Sequence, residues 1–278
     1  MDNPRTKILI FLALTVGLSS VFWVPLIQGG SIAAGGGLYV LGLMWAPGIA
    51  AMLTRLITQR NLRGMGWKPR TPALLGLAYV LPLLYALPVY LVAWGMDLGA
   101  FAPDKWQVQE GQTALTGVLL IASAGLIGTL ISGTGEEIGW RGLLVPELAR
   151  ITSFRNTALI SGLIWAVWHM PLVLGANYRG EGTPLAYSVV CFTLMVLALS
   201  FLMAWITLRS GSLWPAALLH AAHNLFVQSI FDYATVETKR VDWLTGEFGV
   251  GLALTIAVAA WLLTRSKPVD ALAGASHP

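Results

Sequence analysis

Three short stretches carry the side chains that could do chemistry, and each would bring a different part of a hydrolytic site. The first is Ser132-Gly133-Thr134-Gly135-Glu136-Glu137-Ile138-Gly139-Trp140-Arg141-Gly142. Neighbouring residues on a helix point about 100° apart, so Glu136 and Glu137 cannot share one role. Glu137 and Arg141 stand four apart with the acid N-terminal, the better orientation for an ion pair. That leaves Glu136 with no partner close in sequence. A carboxylate that is unpaired and partly withdrawn from water is suited to taking a proton near neutral pH. The second stretch is Trp165-Ala166-Val167-Trp168-His169-Met170-Pro171, with His169 deep in a charge-free run and Trp165 one turn before it on the same face. The third is His220-Ala221-Ala222-His223-Asn224, where His220 and Asn224 share a face and His223 lies near it. One acid, two imidazoles and an amide converging on water can hydrolyse a bond. The acid would activate the water, and the donors would hold charge that develops only in the transition state.

Each stretch alone also fits a structural role. Acids can be solvated at a helix end, a histidine can bridge two helices, and small residues such as Ala221 and Ala222 permit close helix approach. Together they are harder to explain that way, because ionisable groups inside a membrane are costly and are kept for a reason.

The elements that must position these groups follow from charge. Of 278 residues only 11% are charged, against about 25% in a soluble domain. No Asp, Glu, Lys or Arg occurs in 8–54, 71–96, 111–135, 156–178, 182–208, 210–231 or 248–264. A membrane helix needs about 20 apolar residues, so these windows predict an all-α polytopic membrane protein. The first window holds two spans around a glycine-rich hairpin, giving eight helices near 8–27, 36–55, 73–94, 115–133, 157–175, 185–207, 213–231 and 247–264. The first is too long for a signal-peptide core, which runs about 7–15 residues, and is read as a retained span. The chain is expected to form a single transmembrane domain over 1–278, with the motif-bearing region at about 115–231.

An even number of spans puts both termini on one side. That side carries all the lysines and arginines except Lys105, Arg179, Lys239 and Arg240, so both termini are expected in the cytoplasm. Trp23, Trp94, Trp214 and Trp261 fall near span ends, as interfacial belts do. The basic balance, pI about 9.4, reports this topology and not a nucleic-acid partner. The single Cys191 excludes a disulfide framework and a cysteine metal site. With Glu136 ending an outside-to-inside helix, the three stretches are expected in the cytoplasmic half of the bilayer.

The residues Glu136-Glu137-x-x-x-Arg141, Trp165-x-x-x-His169 and His220-x-x-x-Asn224 resemble the three motifs of the CPBP intramembrane proteases. That family, also called Abi, takes in the type II CAAX prenyl endopeptidases and bacteriocin-processing proteins. The motifs run from Ser132 to Asn224, and the N-terminal spans carry none. One departure is Trp165, where the family commonly has Phe. The resemblance implies an eight-helix endopeptidase of the cell membrane acting on a peptide or protein substrate, lipid-modified ones included. It implies that Glu136 activates water with help from His169, and that His220 and Asn224 stabilise the oxyanion. Glu137 and Arg141 would brace them, with Trp165 in support.

No cofactor is expected. A zinc site on Glu136, His169 and His220 is the alternative. Against it, Asn224 shares the face of His220, an amide is a poor zinc ligand, and no HExxH is present. No carboxylate partner for His169 or His220 appears within their own helices; Glu136 is the candidate to supply one across the cavity. Two rival functions remain. A proton-coupled transporter would also place Glu and His in spans, though no inverted repeat is visible. A non-catalytic immunity or scaffold protein could share the fold, but Glu136, His169, His220 and Asn224 are all intact.

Overall fold

The computed structural model describes residues 3–236 and 238–266. Among the described residues eight helical segments lie close to the expected windows: α1 Pro4–Gln28, α2 Leu38–Gln59, α3 Pro72–Gly95, α4 Ala114–Ala149, α5 Phe154–Gly175, α6 Leu185–Ser210, α7 at 214–232 and α8 Val250–Ser266. The first six are long and apolar enough to cross a membrane, and α8 is a shorter apolar helix. The chain is an all-α, multi-pass membrane protein; among the described residues the β-structure amounts to one isolated bridge, Phe101 to Thr235. Backbone polar groups in lipid must be satisfied within the segment, and helices do that. Prolines at 25, 47, 82, 88 and 171 sit inside helices without ending them, as neighbouring helices in a membrane allow.

The largest departure from the sequence reading is α4. A span at 115–133 was expected, with Glu136 just beyond its end; the helix instead runs on for 36 residues to Ala149, through π-turns at Ile121–Gly125 and Trp140–Leu144. Polar residues do not stop it because it is wrapped by protein there. Gly135 lies against Met44 and Trp45 of α2, and Gly139 against Pro47, so closely that a Cβ would come within 2.8 Å and 2.6 Å of their atoms. Glycine lets the backbones meet at that distance. The closest helix pairs are α1 with α2, α2 with α4, α4 with α7, α3 with α7, α5 with α6 and α6 with α8. Thus α4 and α7, which carry two of the three motifs, stand at the centre.

At the end of the bundle that holds the termini, one acid gathers the cations. Glu147 lies 3.4 Å from Lys7, 3.1 Å from Arg55 and 2.8 Å from Arg150. It ties the start of α1, the end of α2 and the end of α4 together. Lys7 and Arg55 are buried there, which membrane-protein cations do only when paired.

Candidate active site

Glu136, His169, His220 and Asn224 line one cavity of about 140 Å³, together with Trp165. Three helices therefore bring together the four residues singled out by spacing. The details differ from the sequence reading in three ways.

First, Glu136 is not without partners. Its Oε2 accepts a hydrogen bond from the Trp140 indole at 3.2 Å and from the Trp165 indole at 2.7 Å. Trp140 is four residues on along α4, and Trp165 reaches across from α5. Charge pairing alone was considered in the sequence, whereas an indole N–H satisfies a carboxylate without carrying a charge. This gives Trp165 a function that a phenyl ring at that position lacks.

Second, Glu137 does more than brace. The expected bond to Arg141 is present at 2.8 Å, and the guanidinium lies 4.3 Å over the Trp165 ring. The same carboxylate oxygen, Oε1, also meets His220 Nδ1 at 2.8 Å. The carboxylate partner of His220 is therefore Glu137 on α4, and not Glu136. A ring whose Nδ1–H is held by a carboxylate has Nε2 left, as acceptor when neutral and as donor in the imidazolium. His169 Nδ1 lies 2.8 Å from the Trp165 carbonyl. A carbonyl can only accept, so Nδ1 carries the proton and Nε2 has its lone pair available. The Trp165 ring packs edge-on against both imidazoles, with centroids 5.8 Å from His169 and 5.4 Å from His220.

Third, the cavity reaches towards the helix ends opposite the start of α1, while Glu136 and His220 lie nearer mid-bundle. The cavity wall takes Ile32 from the α1–α2 loop, Leu43 from the second turn of α2, Leu172 from the last turn of α5 and Phe192 from the second turn of α6. All of these lie near the helix ends opposite the termini. The expected placement in the terminal half assumed that α4 stops at Glu136. It continues for thirteen residues beyond, which moves Glu136 away from that surface.

A second polar cluster went unrecognised in the sequence. His223, left ambiguous by spacing, accepts or donates at Nδ1 to the Tyr85 hydroxyl, 2.7 Å away, and its Nε2 lies 3.2 Å from Glu247 Oε1. Glu247 also accepts a hydrogen bond from the Tyr178 hydroxyl. Tyr178, His223 and Glu247 share the cavity wall with the motif residues. Glu247 was expected at the start of the eighth span but lies in the loop before α8, and no spacing rule links it to His223. Burial works to raise the Glu247 carboxyl, but the His223 hydrogen bond and charge, with Tyr178, hold it down to about 2. Tyr178 is pushed well above the ordinary tyrosine value by burial and then by the Glu247 charge.

The zinc alternative names Glu136, His169 and His220, which line one cavity. Among the described residues no three His, Cys, Asp or Glu side chains are gathered as ligands, and two of the carboxylate oxygens nearby are already committed to indole, guanidinium and imidazole donors.

The segment that carries the motifs is similar to known proteins. Residues 112–226, which contain every motif residue, match the family described as type II CAAX prenyl endopeptidase Rce1-like. Over 100 residues, 34% of this chain, the sequence is 29% identical to CAAX prenyl protease 2 of Methanococcus maripaludis. The match spans 36% of that curated relative's length. Over its motif-bearing segment the chain is thus similar to the CAAX prenyl endopeptidases.

Proposed function

We propose that the protein is an intramembrane endopeptidase that hydrolyses a peptide bond of a membrane-associated substrate in the cell membrane. The observation that carries this is the convergence of Glu136, His169, His220 and Asn224 on one cavity. Glu136, steadied by two indoles, takes a proton from a water whose second hydrogen is held by His169 Nε2. The water oxygen adds to the scissile carbonyl. The oxyanion is met by the Asn224 amide and by Nε2–H of His220, whose imidazolium form is supported by Glu137. Collapse of the tetrahedral intermediate breaks the C–N bond, and Glu136 returns its proton to the leaving amine. Donors fixed in place before the charge appears are the largest usual source of acceleration in acyl transfer.

The apolar part of the wall, including Leu43, Leu172, Phe192, Met195 and Leu199, suits an apolar segment or a lipid-modified peptide, the substrate class for which the matched relative is named. The test is cleavage of a quenched-fluorescent peptide library by purified protein. Glu136→Gln keeps the volume and an acceptor oxygen for the indoles, and it should lower cleavage by about 10²–10⁴-fold, as loss of a general base does. Undiminished cleavage by that variant would refute the assignment of the base.

A further inference from the structure

We propose that substrate enters the catalytic cavity from the membrane face opposite both termini, through a second cavity built by the loops of that face, and that this face is the outside of the cell. The proposal rests on the reading of the first cavity as the site of hydrolysis, and it narrows the substrate to peptide segments presented at the outer surface.

The second cavity, of about 410 Å³, is walled by the 177–181 loop after α5 and by residues between 232 and 248 after α7, among them Arg179, Glu181 and Asp242. It shares Ile32, Tyr178, Gln228 and Glu247 with the catalytic cavity. These four residues form a throat between the two spaces. The throat is polar on one side, where Tyr178 and Glu247 join the loop after α5 to the loop before α8, and through His223 to the helix that carries Asn224. A peptide backbone passing it would find both donors and acceptors.

Towards the termini the path is filled. Beyond Glu136 along α4, Trp140, Arg141, Leu143 and Leu144 are fully buried, as are Met65 and Leu213 facing them. Below them lies the Glu147 cluster with Lys7 and Arg55. Neither cavity wall includes a residue from the loops at 60–71 or 150–153. The sidedness comes from charge. Among the described residues only Lys105, Arg179, Lys239 and Arg240 of the basic side chains lie on the side of this second cavity, the vestibule, and positively charged loops stay in the cytoplasm.

The experiment uses cysteine access in sealed membrane vesicles of both orientations, with the full chain carrying Cys191→Ser. Leu199→Cys in the catalytic cavity, Gln228→Cys at the throat and Glu181→Cys in the vestibule should react with a membrane-impermeant maleimide in right-side-out vesicles and not in inside-out ones. Arg63→Cys, exposed in the loop after α2, should show the reverse. Two separate positions report on the inner path, so a misfolded variant at one does not decide the result. Labelling of Leu199→Cys and Gln228→Cys from the inside-out side, or from neither side, would overturn the route. In the same vesicles, cleavage of an added impermeant quenched-peptide library that is lost in Glu136→Gln should appear only when they are right-side-out; cleavage confined to inside-out vesicles overturns the proposal. Outside labelling without Glu136-dependent cleavage in either preparation would overturn the catalytic reading and leave the route standing.

Discussion

Replacing Glu137 by glutamine separates two roles that one oxygen performs. Glu137 Oε1 holds Arg141 at 2.8 Å and His220 Nδ1 at 2.8 Å, and both charged side chains of the pair are essentially out of solvent, at 0% and 1% exposure. Glu137→Gln keeps the shape but removes the charge that balances the Arg141 guanidinium. Breaking a buried pair by removing one partner costs about 3–5 kcal/mol, because the other charge stays buried and uncompensated. The thermal midpoint of the detergent-purified protein should therefore fall sharply. Cleavage should also fall, by about 10²-fold, the loss found when one oxyanion donor is removed, because the imidazolium of His220 loses its anchor. The double variant Glu137→Gln with Arg141→Met distinguishes the causes. With both charges gone the pair is replaced by neutral groups of similar size, a change that is often nearly neutral for stability. The midpoint should recover, while activity should not, since His220 still lacks a carboxylate. Recovery of both in the double variant would refute a role for Glu137 beyond bracing, and an unchanged midpoint in the single variant would refute the energetic argument itself.

Trp165→Phe keeps an aromatic ring and removes the 2.7 Å indole bond to Glu136. A hydrogen bond to a charged group is worth about 1.5–3 kcal/mol, so kcat should fall roughly 10- to 100-fold with KM unchanged; a preserved kcat would mean that Trp140 alone holds the carboxylate. Glu147→Gln strips the buried Lys7 and Arg55 of their shared acid and should lower stability by about 3–5 kcal/mol, leaving kcat of the folded protein intact; calorimetry beside kinetics reads both. Glu247 gives a pH signature: its folded value of about 2 lies below the ordinary 4.5, so its stabilisation is complete above 4.5 and is lost as the pH falls towards 2. Thermal midpoints measured across that window should decline in the native chain and be flatter there in Glu247→Gln; equal slopes would remove Glu247 from the account.

How much of this was legible in the sequence depends on the range of the interaction. Charge-free windows fixed the helices because lipid tolerates few other structures, and they place α1 to α8 to within a few residues at most ends. Spacing within a helix was equally readable: Glu137 reaches Arg141, and His220 and Asn224 present one face, because side chains three or four apart are neighbours whatever surrounds them. The length of α4 was not readable, since the sequence shows polar residues at 134–141 but not the helices that bury them. Contacts across helices were out of reach for the same reason. Trp165 meets Glu136 across 29 residues, His220 meets Glu137 across 83, and His223 meets Glu247 across 24. Which pairs form depends on the rotation and level of each helix. Those are fixed by close packing, as where Gly135 and Gly139 let α4 settle against α2, and packing exists only once the chain has folded. The types and faces of the reactive groups were thus set by the sequence alone. Which carboxylate serves which imidazole, and on which side of the bundle the cavity opens, was decided by the tertiary structure.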